Sequence, residues 1–546
     1  MSSVWEGQVD RGGSGILSRG SLCVMAVALL FAAWASFADI SHLIYFFSDD
    51  AYYYFKVAEN IILGQGVTFD GYNTSNGFHP LWMLMLVAVY GVIKNPELAL
   101  RLIILIQILL AAGSVMLCRA YLGRIARPSV ANSGLFILLA LASPIVFLFN
   151  GLESGLLTFW VWLVLFLGER LNLLSSAASR KQRVLLGALL GMMVLIRLDT
   201  AFILIALAIL KVVFPQGSHR GENRIVYLLG YYLPTIIAFL CLFTPYLIWN
   251  YLEFGHMTPI SGALKSSFPY PMFEYHFSSH VLPYLSLMIL SAIWVVGSLF
   301  HPDGRLKRLC AAWTTESEYM ILAAFWLGCA VHLLWTQLFM AWGVYQWHFA
   351  AYIPVLVIFS ALALEALLSG ALRDRHRLIA LMQPIVVVVV LAFSYFLYVQ
   401  KGDHHQQRLA AARWVETHIP TEDALALSDA GVFAYFNKHH TLNLDGLING
   451  YEYQDAMVNG RIPALFDRQR VRYLADAYTE CDYTRHAVRI AAYPGRVGLR
   501  PGYLFRADRQ AEVYRSEPEI YWPLTKKKRI CFVIWDMNRV AMERIS

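Results

Sequence analysis

Two adjacent carboxylates, Asp49 and Asp50, stand where a long apolar run ends and a string of rings, Tyr52, Tyr53, Tyr54 and Phe55, begins. Charged groups at a membrane edge are costly to place and mark substrate or ion paths. A carboxylate pair there suits general acid/base work or ligation of a hard divalent cation. A helix cap would account for only one of the two. Downstream, Gly64-Gln65-Gly66, Asp70-Gly71 and Asn76-Gly77 are turn signals, and Phe78-His79-Pro80 closes the stretch before the sequence turns apolar again. Residues 48–82 therefore read as a polar, glycine-punctuated loop held between apolar helices.

The elements that must hold this loop are set by composition. The chain has 546 residues, 58% of them hydrophobic, with a mean hydropathy of +0.51. That is far above soluble domains and predicts an integral membrane protein. The net charge of +7 falls in short basic clusters between apolar runs, a topology signal rather than a nucleic-acid footprint. Residues 1–20 read as a cytoplasmic tail, and Ser21 to Phe47 as a first span that carries Asp49 to the outer face. Pro80 to Ile93 is too short to cross and is expected to lie in the interface. Further spans are predicted at 98–118, 132–149, 156–173, 184–196, 200–214, 225–249, 281–300, 319–339, 349–368 and 378–399, about eleven in all. Reading Val184 to Phe214 as two arms hinged at Arg197-Leu198-Asp199 keeps every later basic cluster inside. From Gln400 the chain is more charged and lacks a span-length run. It reads as a small α/β domain, 400–546, with a helix at Gln407 to His418, strands at 424–428, 440–444, 471–474 and 530–535, and a short helix at 432–437. Only Cys481 and Cys531 lie there, and an oxidising compartment would make them the one sensible disulfide. There is no zinc spacing, phosphate-cradling Gly-rich loop, dinucleotide fingerprint or internal repeat.

The order SDDAYYYF through NGFHPLW resembles the first external loop of GT-C superfamily glycosyltransferases: an acidic pair outside the first membrane helix, an aromatic amphipathic helix, an Asn-Gly turn, and His-Pro before another short helix. The resemblance covers the first loop (48–97) well, the spans by architecture and the outer domain loosely. It implies a polytopic α-helical membrane protein, with a transmembrane domain over 21–399 and a C-terminal extracytoplasmic α/β domain. It also implies a bacterial inner-membrane enzyme moving a sugar from a polyprenyl-phosphate donor to an envelope glycan or lipid acceptor outside.

On that resemblance Asp49 is the expected base, with Asp50 and Glu153 in support. Glu153, in Asn150-Gly151-Leu152-Glu153-Ser154, reads equally as part of a helix cap. Arg197 pairs with Asp199 or holds a carrier phosphate bidentately. Lys265, in an external loop short of cations, is a second phosphate partner or an interfacial lysine. His79 contacts phosphate or caps the helix at Pro80. Tyr53, Asn76, His348 and Asp445 are candidate substrate contacts. The bland readings are an aromatic belt around His348 and a plain Asp-Gly turn at Asp445. Two carboxylates suit Mg²⁺ or Mn²⁺, yet no metal or other cofactor is expected to be obligatory, because side-chain cations are at hand. The expected partners are the lipid-linked donor, the acceptor and membrane lipids, with no nucleic acid. The rival is a transporter or flippase of a lipid-linked saccharide, which predicts inverted repeats and polar residues on both sides of the midplane. A non-catalytic scaffold would leave the paired acids without a task.

Overall fold

The computed structural model describes residues 19–125, 130–131, 138, 150–214, 224–272, 282–300, 317–369, 404–478, 481, 485–491, 502–521 and 528–545. The tail 1–18 and the predicted spans 132–149 and 378–399 lie almost wholly outside them. Helix α1, Arg19–Phe37, is shorter than the predicted first span. The run is broken because Asp39 sits inside it: the carboxylate accepts the Ser41 N–H at 2.8 Å and caps a new short helix, α2, Ile40–Leu43. Arg101 closes the end of α1 by donating to the carbonyls of Ala35 and Ala38 at 2.8 and 2.7 Å.

The acidic pair opens α3, Asp49–Ile62, where two carboxylates in the first turn complement the helix dipole. Proline at its first position starts α4, Pro80–Val92, with His79 as the preceding cap residue. Then come α5, Pro96–Ile125; α6, Ser154–Arg170; α7, Arg180–Ile196; α8, Ala201–Val213; α9, Arg224–Phe254; α10, Ile260–Lys265; α11, Leu282–Phe300; α12, Ser317–Phe339; and α13, Tyr352–Ser369. The hinge expected at Arg197 is present: Arg197 is extended (φ −151°, ψ 122°), and a single 3₁₀ turn, Leu198–Thr200, separates α7 from α8. Among the described residues, three helical stretches are long and apolar enough to cross a membrane: Pro96–Ile125, Leu229–Phe254 and Met320–Phe339.

The C-terminal domain begins with α14, His405–His418, followed by β1, Ala424–Leu427; α15, Gly431–Tyr435; β2, Thr441–Asn443; α16, Tyr451–Val458; α17, Ile462–Arg468; and β3, Val471–Tyr478. The remaining strands are β4, Arg485–Ala491; β5, Gly502–Asp508; β6, Glu512–Arg515; β7, Glu519–Tyr521; β8, Lys528–Asp536; and β9, Ala541–Ile545. One sheet runs β2-β1-β3-β8-β6, with β7 pairing β8, and a second runs β4-β5-β9. In the first, β2, β1 and β3 are parallel and β8 antiparallel, so the carboxyl ends of β1 and β2 open on the same edge. Cys481 and Cys531 form a disulfide. One apolar core joins the two parts of the molecule: Phe47, Tyr52, Phe55 and Trp82 pack in the same cluster as Leu425, Val432, Phe433 and Phe532.

Candidate active site

The loop is seated from below by the Asn150–Ser154 turn. Ser48 donates its N–H to the Asn150 carbonyl at 3.0 Å, and the Trp82 indole donates to the Gly151 carbonyl at 2.9 Å. Gly151 has φ +81°, and a methyl there would collide with Ala51 and Phe47, so only glycine lets the turn approach α3 this closely. The turn delivers Glu153, 2% exposed, to the floor of the site. Its side chain makes no helix-cap bond. One of its oxygens instead meets Arg197 at 2.5 Å and His79 at 3.6 Å. Arg197, 5% exposed, gives its remaining donors to Asp199, 2.6 Å away at the closest. Asp199 also lies 3.7 Å from His332, whose ring shares a 2.8 Å hydrogen bond with Tyr352. Arg197 is thus a buried ion-pair centre held between two carboxylates, the pairing that the sequence offered as one of its two readings.

The two acids of the pair face different surroundings. Asp49 turns to the C-terminal domain: its oxygens accept the N–H groups of Gly431 and Val432 at 2.8 and 3.0 Å and lie 3.4 Å from Arg408. Burial pushes its carboxyl up to about 7, against the pull of Arg408 and with a push from Asp429. Asp50, half-buried, is the carboxylate whose charge is felt by Lys265 and by Asp445. Asp49 is thus engaged by the C-terminal domain, whereas the charge of Asp50 acts on Lys265.

Lys265 is brought in by α10. Asn76 accepts the Ile260 N–H at 2.9 Å and donates to Asn250 at 2.6 Å, so its amide is spent anchoring that helix and is not a substrate contact. Ala341 donates to the Lys265 carbonyl at 2.7 Å and straps the loop to the end of α12. Lys265, His79 and His348 are all held below their ordinary pKa values, first by burial, with Arg197 lowering all three and Lys265 lowering the two histidines. Lys265 lies within electrostatic reach of Asp50, and both His79 and His348 lie within reach of Lys265 and Arg197. His348 is fixed through Nδ1 against the Tyr345 backbone.

Tyr53 and Asp445 are engaged with each other. The Tyr53 hydroxyl donates to Asp445 at 2.8 Å, and the carboxylate also accepts Asn443 Nδ2 and the Leu447 N–H, an Asx-type turn after β2. Burial pushes Asp445 up to about 7, with a further push from Asp429. Among the described residues no three His, Cys, Asp or Glu side chains are grouped to hold a metal ion.

Sequence reasoning missed Arg408, Asp429 and His332. His332 carried a usable signal, being an ionisable residue inside a predicted span. Arg408, at the start of an outer helix, carried none.

The fold is similar to that of solved GT-C membrane proteins, in line with the resemblance. Its structural likeness extends over 94% of this chain and 97% of ArnT from Cupriavidus metallidurans bound to undecaprenyl phosphate, at a TM-score of 0.53 and 13% identity. The apo state of the same protein gives a TM-score of 0.52, also at 13% identity and with the same coverage of both chains. The oligosaccharyltransferase of Archaeoglobus fulgidus, tethered to an acceptor peptide, covers 84% of this chain and 69% of its own at a TM-score of 0.49 and 13% identity. A family model described as a domain of unknown function (DUF8728) matches residues 397–515. No curated protein matches the sequence.

Proposed function

We propose that this protein is a membrane glycosyltransferase that moves a sugar from a polyprenyl-phosphate donor to an envelope glycan or lipid acceptor on the extracytoplasmic face. The observation that carries the reading is the acid loop seated on the Asn150–Ser154 turn, with His79 3.6 Å from the Glu153 carboxylate that pairs with Arg197, and Lys265 within electrostatic reach of both Asp50 and His79. A carrier phosphate is the anion that such a cluster suits, and a lipid-linked donor reaches it from the bilayer.

In the reaction Asp50 takes the proton of an acceptor hydroxyl as that oxygen bonds to the anomeric carbon. The bond from that carbon to the phosphate oxygen breaks, and the electron pair leaves with the phosphate. Lys265 neutralises the new charge, while neutral His79 and His348 donate hydrogen bonds to it. Glu153, Arg197 and Asp199 form the floor that orients His79. No metal is required for this chemistry, though the acid pair suits Mg²⁺ or Mn²⁺. The spans number about eleven, counting 132–149 and 378–399. The Cys481–Cys531 disulfide supports an oxidising, extracytoplasmic location for the C-terminal domain, in the bacterial inner membrane.

The test is transfer from a panel of radiolabelled polyprenyl-phosphate sugars by purified protein in detergent, with and without EDTA. Consumption of one donor, lost in Asp50→Asn, supports the reading. Movement of labelled lipid across a liposome bilayer without transfer replaces it with a flippase.

A further inference from the structure

The parallel edge of the C-terminal sheet meets the acidic loop through a small set of polar contacts. The chain leaves β1 into Asp429, at φ +48°, and then enters α15, whose first two amides, Gly431 and Val432, bind Asp49. Arg408 on α14 is 6% exposed and lies between two acids, 3.4 Å from Asp49 and 3.7 Å from Asp429. Gly431 is tight against the loop: a methyl there would collide with the carbonyl of Asp49. Around this knot His405 bonds the Ile44 carbonyl at 2.8 Å, and Tyr435 reaches Tyr90 at 2.7 Å and the Pro96 carbonyl at 2.9 Å. The domain is therefore fixed to both ends of the loop and to the first residue of α3.

We infer that Arg408 is a positioning residue of the transfer reaction: it holds Asp49 against the C-terminal domain, so that Asp50 is the carboxylate presented to Lys265. The inference rests on the proposed function and gives the C-terminal domain a task within it. Two adjacent carboxylates with equal access to an acceptor would compete for one proton and one position. Committing Asp49 to Arg408 and two amides divides their work. Successive residues of a helix point about 100° apart, so fixing Asp49 also fixes the direction of Asp50. Arg408 lies 3.4 Å from Asp49, whose carboxyl also feels the charge of Asp429 and whose own charge is felt by Tyr52 and Tyr53; the charge of Asp50 is felt by Lys265, Asp445, Tyr53 and Tyr54. Removing Arg408 takes the nearest cation from Asp49, which then protonates at higher pH and gives up its hold on the start of α3, so the acid limb of the rate profile, here set by Asp49 as the positioning acid, should move to higher pH.

The experiment uses the full chain in detergent with the donor identified by the panel, measuring kcat and donor KM separately from pH 5.5 to 9 for Arg408→Met and Arg408→Lys. Arg408→Met should lower kcat about 10- to 100-fold, as expected when a reacting group is misplaced, with donor KM within about twofold. Its acid limb should shift upward, and Arg408→Lys should recover most of the rate and the original limb. A wild-type kcat in Arg408→Met, or a loss equal at every pH that lysine does not rescue, overturns the inference. Wild-type protein that transfers nothing sinks the glycosyltransferase reading instead. The positioning claim is then read from hydrogen exchange: amides of residues 48–62 should exchange faster in Arg408→Met at unchanged melting temperature, and unchanged exchange overturns it.

Discussion

At Asp50 and Lys265 the proposed chemistry comes down to one proton and one charge. Asp50→Asn should lower transfer at least about 100-fold, the usual contribution of a general base. Lys265→Met should lower it comparably and weaken inhibition by free polyprenyl phosphate, whereas Asp49→Asn should lose only about as much as Arg408→Met, about 10-fold or somewhat more, because its carbonyl still accepts an amide. A dead Asp49→Asn beside an active Asp50→Asn would reverse the assignment. Asp445 offers a test by pH. Its folded pKa is raised from 3.8 to about 7, so its stabilising contribution is complete below the unfolded value and is lost as pH rises through about 7. His79 and His348, held low, titrate in the opposite sense, so the clean quantity is a difference. The melting temperature of Asp445→Asn minus that of wild type should be more positive at about pH 8.5 than at about pH 5. A difference constant with pH would sink it. The residues that could be named from sequence were those whose chemistry is dear at a membrane edge: Asp49, Asp50, Glu153, Arg197 and Lys265. Their division of labour was not legible, because partners such as Arg408 and Gly431 are supplied by chain more than 350 residues away.

Among the described residues the helices were not legible in length, α5 running on to Ile125 and α9 to Phe254, but they were legible in order, because hydropathy reports burial in lipid directly. The break in the first span was not, since a single Asp39 inside an apolar run looks tolerable until it is seen to cap a new helix. The hinge at Arg197 was legible, because counting arms by basic clusters left one consistent answer. Close helix packing was the harder matter. Gly187 on α7 has no room for a methyl against the Thr235 carbonyl of α9, and Gly328 on α12 none against Ile203 of α8. Gly187→Ala should therefore cost about 1–3 kcal/mol, the usual penalty of overpacking, read as a lower melting temperature in detergent. No change in melting would mean that α9 shifts freely, and the tight packing would be incidental. In the C-terminal domain β1, α15, β2, β3 and β8 followed their patterns, whereas the β4-β5-β9 sheet was missed. Its strands carry many charged side chains, Arg489, Arg506 and Glu543 among them, and alternate too weakly to be read by period.

Across the whole molecule, the helical part and the sheet domain share one core, so neither is a passenger on the other. The disulfide closes a span of 50 residues, from the β3–β4 connection to β8. Cys531→Ser should cost about 2–5 kcal/mol and lower the melting temperature of the C-terminal domain, and wild type in reductant should match it. Equal melting of all three would show that the bridge adds nothing. The Asp49 contacts carry one more consequence, and it concerns time rather than stability. Gly431 follows Asp49 by 382 residues, so at roughly 5–20 residues per second of synthesis the acid pair waits on the order of a minute for its latch. Over that interval the helices made first lack the contacts that hold Asp49.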